Sequence, residues 1–150
     1  STRFIELAGE INTSMPHYVV ERVTEALNER GKSVKNSKIL VLGLAYKPDI
    51  DDVRESPSFE LIELLKGKGA AVDYSDPHCP ETWAGRKHDL RMKSVPITPE
   101  SLKQYDCVLV STNHSAFDWA TVAKHAKLVV DSRDALRAFH GQMGDRIVLA

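Results

Sequence analysis

An α/β fold with a mostly parallel sheet is what this 150-residue sequence predicts, on three observations. Ile39 to Leu42 is a continuous apolar run, as a strand buried on both faces requires, and lacks the alternation of a half-exposed strand. Similar short runs recur after it, separated by helical spacing or turn residues, which is the order that builds parallel crossover units. The first run also passes through Gly43 into a charged loop and then a helical pattern at Phe59, Leu61, Ile62, Leu64 and Leu65. Open α/β sheets hold their ligands beyond the carboxyl ends of the strands, so function is expected between Tyr46 and Arg54.

Each element follows in order. Phe4 to Asn12 is short and helix-compatible, and a second helix is predicted from Thr13 or Ser14, with Pro16 tolerated in its first turn. Val19, Val20, Val23, Ala26 and Leu27 step by three and four along it, and Gly31 supplies a left-handed stop. Because the α/β unit begins only at Lys38, residues 1–31 read as an appendage, and self-association through their apolar stripe is expected. Ala70 to Ser75 is a second strand, entered through Gly67 and Gly69 and left through Asp76-Pro77. Pro77 to Pro96, rich in Pro, His, Gly and charge, is a long irregular connection. Thr98-Pro99 is an N-cap with proline at the first helical position, opening a short helix to about Gln104. Asp106 to Ser111 is a third strand. Ser115 to Asp118 has capping-box spacing ahead of a helix to about His125, and Lys127 to Asp131 and Arg146 to Leu149 are the last two strands.

Composition excludes several classes. A net charge of -1 without a clustered basic excess argues against a nucleic-acid partner. The two cysteines, Cys79 and Cys107, form no C-x-x-C pair, so neither a disulfide framework nor a zinc ribbon is expected, and a reducing cytoplasm is. No stretch approaches the roughly 18 apolar residues of a membrane span, so no membrane partner is expected. The sequence starts at Ser-Thr-Arg, without the order of a signal peptide.

The scaffold offers three places for chemistry. Gly43 stands alone where a dinucleotide fingerprint needs three glycines, so a self-sufficient NAD site is not expected. Asp49, Asp51 and Asp52 lack the spacing of a known cation loop and read as a solvated turn screened by Lys47 and Arg54. Those two cations leave a strand end near a helix amino end, which suits a phosphorylated ligand. Asp131-Ser132-Arg133 opens on the same edge. There Arg133 offers a planar fork for phosphate or sugar hydroxyls, or alternatively an ion pair to Asp131 or Asp134. His78, Cys79 and His88 match no zinc spacing, Cys107 reads as a core thiol, and no catalytic residue is assigned.

The run G-L-A-Y-K-P-D-I-D-D-V-R-E-S-P-S at Gly43 to Ser58 resembles the carboxyl-terminal, nucleotide-sugar-binding domain of the UDP-glucose/GDP-mannose dehydrogenase family. Its K-P-D-I-D-D-V-R-E-S-P form is most similar to the UDP-N-acetylhexosamine dehydrogenase branch. F-I-E-L-A-G-E-I-N-T-S-M-P at Phe4 to Pro16 resembles the lead into the helix that joins the family's domains, and V-V-D-S-R-D at Val129 to Asp134 resembles its late arginine motif.

The resemblance implies a Rossmann-like three-layer sandwich over residues 36–150, preceded by residues 1–31 as the end of a central helical linking and dimerisation region. It implies an enzyme that oxidises the C6 hydroxyl of a UDP-sugar to a uronate with NAD, as in polysaccharide biosynthesis. The family's covalent cysteine belongs to a G-G-H-C-like motif that neither Cys79 nor Cys107 occupies, and the amino-terminal NAD domain is expected outside this chain. Position by position, Tyr46, Lys47 and Arg133 match contacts to the nucleotide sugar, and Arg54 matches an arginine that reaches NAD. Asp134 stands where Asn is more usual. The alternative is a free-standing nucleotide-sugar-binding or assembly module.

Overall fold

The sheet consists of β1 (Lys38–Leu42), β2 (Ala71–Ser75), β3 (Cys107–Val110), β4 (Val129–Asp131) and β5 (Ile147–Leu149). All neighbours are parallel, in the order β2-β1-β3-β4-β5. This computed structural model describes residues 2–45, 47–50, 53, 56–82 and 91–150, with side chains from residue 15 onward. Five expected strands are therefore present, β1 one residue longer than expected and the other four shorter by one or two residues.

Both faces of the sheet are covered, which explains the unbroken apolar runs. Alternate residues of β1 point opposite ways: Ile39 and Val41 join one buried cluster with Leu109 and Val130, while Leu40 and Leu42 join another with Val108, Val110 and Val129. The first face is covered by α1 (Thr2–Glu29) and α2 (Pro57–Gly67). The second lies under α3 (Pro99–Leu102), α4 (Trp119–His125) and α5 (His140–Met143), through Leu102, Val122, Ala123 and Met143. This is the expected three-layer sandwich, and among the described residues no helix is long and apolar enough to cross a membrane.

Two expectations about the first helix need correction. The segment is one continuous helix, with Pro16 inside it and not in a first turn. Its apolar stripe is also not an uncovered appendage: Val19, Val20, Val23, Ala26 and Leu27 are each 5% exposed or less, packed with Leu61, Ile62 and Leu65 of α2 and with the sheet. Each large apolar side chain so buried stabilises by about 1.5–3 kcal/mol, so the stripe is spent on its own fold and offers nothing to a second copy. Arg22 fastens the helix further, donating through Nε and Nη2 to the Leu149 carbonyl at 3.2 and 3.0 Å. Gly31, at φ 72, is the stop that was expected.

Local caps divide similarly. Thr98 and Ser101 form a reciprocal capping box and Pro99 opens α3, which ends at Leu102, earlier than expected. Ser115, by contrast, does not cap α4. The N-cap is Asp118, whose carboxylate accepts from Thr121 N at 3.1 Å, because a carboxylate one residue before the helix outcompetes a hydroxyl placed further back. The connection after β2 is irregular where described, with isolated bridges Glu81 to Lys93 and Tyr74 to Ser94. A segment without an expected element, residues 137–146, forms short turns of helix.

Candidate nucleotide-sugar site at the carboxyl edge

With this strand order the chain leaves β1 toward β2 on one side and β3 toward β4 on the other, so the topological switch point lies between the carboxyl ends of β1 and β3. The two loops that part there are tied together at their base. Gly43 has φ +90, and a Cβ on it would stand 2.4 Å from Thr112 Cβ and 2.7 Å from the Thr112 carbonyl oxygen. Only glycine fits. Thr112 Oγ1 donates to the Ala45 carbonyl at 2.6 Å. Ser58, in the first turn of α2, donates to the Gly43 carbonyl at 3.0 Å and shares a 2.6 Å hydrogen bond with Ser111 Oγ.

That geometry also answers whether the glycine serves a dinucleotide. The space a pyrophosphate would need over Gly43 is filled by Thr112. The amino end of α2 is already served as well, since Ser56 Oγ accepts from Ser58 N at 3.1 Å and Pro57 has no N–H to give.

Above this base stand the expected ligand residues. Lys47 is exposed on the loop after β1. Arg133 is exposed on the loop after β4, and its Nε donates to the Ser111 carbonyl at 3.0 Å, leaning the guanidinium toward the end of β3. Asp131 shapes that loop: its carboxylate accepts from Arg133 N and Leu136 N, both at 3.0 Å. Asp134 pairs with Arg137 Nε at 2.8 Å, and at φ 53 it holds the left-handed conformation that Asp and Asn share, so the exchange from Asn costs the loop no backbone freedom. Lys47 and Arg133 thus flank the loop after β3, one from each side. Tyr46 and Arg54, with Asp51, Asp52 and His88, lie outside the described residues.

Asp49 is exposed in a turn, as expected, but it also has a fixed partner. It sits at φ 63 with its carboxylate accepting from Ser115 N at 2.6 Å and Ser115 Oγ at 2.8 Å, and these two bonds hold its pKa below the usual carboxylate range. The acid is a clamp between the loops after β1 and β3. Ser115, expected as a helix cap, is its partner.

A buried polar pair went unseen in the sequence. His114, fully buried, and Asp76, 3% exposed, meet at 3.0 Å, and Asp76 Oδ2 also accepts from Leu44 N at 2.7 Å. Their separation of 38 positions hides the contact, although an aspartate directly after one strand and a histidine four residues after the end of another were a signal for a shared edge. The cysteines are inert by placement. Burial pushes the Cys107 thiol up to about 12, and Cys79 is buried with its thiol on the Glu81 carbonyl.

Comparison with known proteins accords with this edge. The UDP-binding domain of the UDP-glucose/GDP-mannose dehydrogenase family matches residues 40–138. A UDP-N-acetyl-D-mannosamine dehydrogenase of Methanococcus maripaludis is 35% identical over 117 residues, covering 78% of this chain and 25% of its own. An NDP-N-acetyl-D-galactosaminuronic acid dehydrogenase of Ralstonia solanacearum is 30% identical over 135 residues, covering 89% of this chain and 30% of its own. The solved UDP-D-ManNAc dehydrogenase of Pyrococcus horikoshii has a TM-score of 0.70 at 25% identity, covering 87% of this chain and 30% of that one. The chain therefore spans about a quarter to a third of the length of these relatives. Because the match takes in the β1 loop, the switch point and the late arginine together, the chain belongs to the UDP-glucose/GDP-mannose dehydrogenase family and carries its UDP-binding domain.

Proposed function

We propose that this chain is the nucleotide-sugar-binding part of an NAD-dependent 6-dehydrogenase that oxidises a UDP-hexose or UDP-N-acetylhexosamine to its uronate for polysaccharide synthesis in the cytoplasm. Residues 1–31 are then the end of its linking helical region and residues 36–150 the binding domain. Homo-oligomerisation of the whole enzyme would use surfaces other than the buried stripe of α1. The observation that carries the reading is Arg133, exposed beside the switch point and aimed by the Ser111 carbonyl. A guanidinium so held offers charge-assisted hydrogen bonds to a diphosphate or to sugar hydroxyls at little ordering cost. Lys47 adds a point charge from the opposite loop, and Tyr46 lends its ring and hydroxyl to the same ligand. Arg54 reaches NAD, which supplies hydride acceptance when bound by a domain outside this chain.

Calorimetric titration of the chain with UDP tests this. Charge-assisted hydrogen bonds contribute about 1.5–3 kcal/mol, so Lys47→Ala and Arg133→Ala should each weaken UDP on the order of ten- to a hundredfold. Arg54→Ala should leave UDP unchanged. Weakening by Arg54→Ala as large as that by Arg133→Ala would assign Arg54 to the nucleotide sugar, and failure of the wild-type chain to bind UDP would overturn the reading. The chain alone should also form no NADH from UDP-sugars, since neither buried cysteine can act as the covalent catalyst. Turnover abolished by Cys79→Ser would contradict this.

A further inference from the structure

The loop that carries Lys47 does not hold itself in place. The Asp49 backbone N–H, two residues on, donates to His114 Nδ1 at 2.8 Å, and His114 Nε2 lies 3.0 Å from Asp76 Oδ2. A backbone N–H only donates, so Nδ1 bears a lone pair, and the single proton of the neutral ring sits on Nε2 facing a carboxylate that accepts it. Asp76 fixes that tautomer and is itself held by Leu44 N on Oδ2 and His78 N on Oδ1, each at 2.7 Å. One line of hydrogen bonds therefore runs from the end of β2, through a ring buried after β3, to the amide of a left-handed residue after β1. Asp49, His78 and His114 do offer ligand atoms within 4.8 Å of one another. Both ring nitrogens of His114 are already engaged, however, so a metal ion would have to break this arrangement to take His114 as a ligand.

We propose that His114 is a positioning residue for the nucleotide-sugar loop: its neutral Nε2–H tautomer, set by Asp76, holds the Asp49 amide so that Lys47 is presented to the ligand from one loop conformation. This rests on Lys47 being a ligand contact. The physical gain is pre-organisation, because a loop ordered before binding does not lose that freedom when the ligand arrives.

Two substitutions split the ring's functions. His114→Asn places an amide oxygen where Nδ1 was and keeps an acceptor for the Asp49 amide, whereas His114→Gln reaches Asp76 and loses that acceptor. Titrated with UDP, the Gln form should bind about three- to tenfold more weakly than wild type, the worth of one hydrogen bond, and the Asn form within about twofold. Thermal melts of both identify any loss due to folding alone. UDP affinity unchanged in the Gln form, or equal weakening in both in step with their melting temperatures, overturns the proposal while leaving the nucleotide-sugar reading intact. No UDP binding by the wild type overturns both. Should neither variant fold, ring-nitrogen NMR shifts of wild-type His114 at neutral pH decide: Nε2–H supports the proposal, and Nδ1–H or a doubly protonated ring refutes it.

Discussion

The two edges of the sheet are fastened by different chemistry. At the amino edge the groups are charged and open to solvent: Lys32 pairs with Asp106 Oδ1 at 2.7 Å and Lys38 N donates to Asp106 Oδ2 at 2.8 Å. At the carboxyl edge most are enclosed, with Ser58, Thr112 and His114 fully buried and Ser111 and Asp76 nearly so, beneath the exposed clamp of Asp49 on Ser115. Exposed ion pairs cost little to lose, whereas a buried polar group left without a partner costs its full desolvation. Precision is thus concentrated where the proposed ligand residues stand, and the opposite edge is held by interchangeable parts.

Gly43→Ala should break this contrast hardest. The new Cβ would collide with Thr112 and would have to adopt φ +90, so a loss of about 3 kcal/mol or more is expected in chemical denaturation of the chain. A loss below about 1 kcal/mol would mean that the two loops part easily. Ser58→Ala comes next, since it leaves the Gly43 carbonyl and the Ser111 hydroxyl short of a partner in a dry site, for about 1–3 kcal/mol. A cavity-free, near-neutral result would show water entering the base of the switch point.

Lys32→Ala at the amino edge should be the mildest, about 1 kcal/mol or less, and should vanish in high salt. Burial pushes the Asp106 pKa up, but the hydrogen bonds from Lys32 and Lys38 N outweigh it and hold the group below the usual carboxylate range. A carboxylate depressed on folding contributes stability above its unfolded pKa and loses it as pH falls through the folded one. The difference between wild type and Lys32→Ala should therefore be full at neutral pH and fade in acid. A difference that grows in acid would place the lysine's effect elsewhere.

Legibility in the sequence followed the range of the interaction. The strands could be read because burial on both faces leaves no alternation, and Thr98-Pro99 and Gly31 because capping chemistry is local. Pro16 misled, since a proline can sit within a long helix when packing supports it, as here from Val19 to Leu27. The stripe was read as uncovered because the partner, Leu61, Ile62 and Leu65, also covers the sheet and its spare face cannot be counted from a pattern. At the carboxyl edge, the placement of Lys47 and Arg133 on loops after strands was legible, and their contact with a ligand is the proposal made above. Asp49 on Ser115 and Asp76 on His114 were not, because each pair meets only through the strand order.

The burial of α1 bears on how this domain can be cut and moved. The family match begins at residue 40, after the first helix has ended. A graft or truncation made at that border would strip Val19, Val20, Val23, Ala26 and Leu27 from one face of the sheet and release the anchor of Arg22 on the last strand. The piece left behind would be a sticky sheet with an open side, prone to precipitate. For anyone swapping sugar specificity between relatives, the unit of exchange is the binding domain together with the helix that enters it.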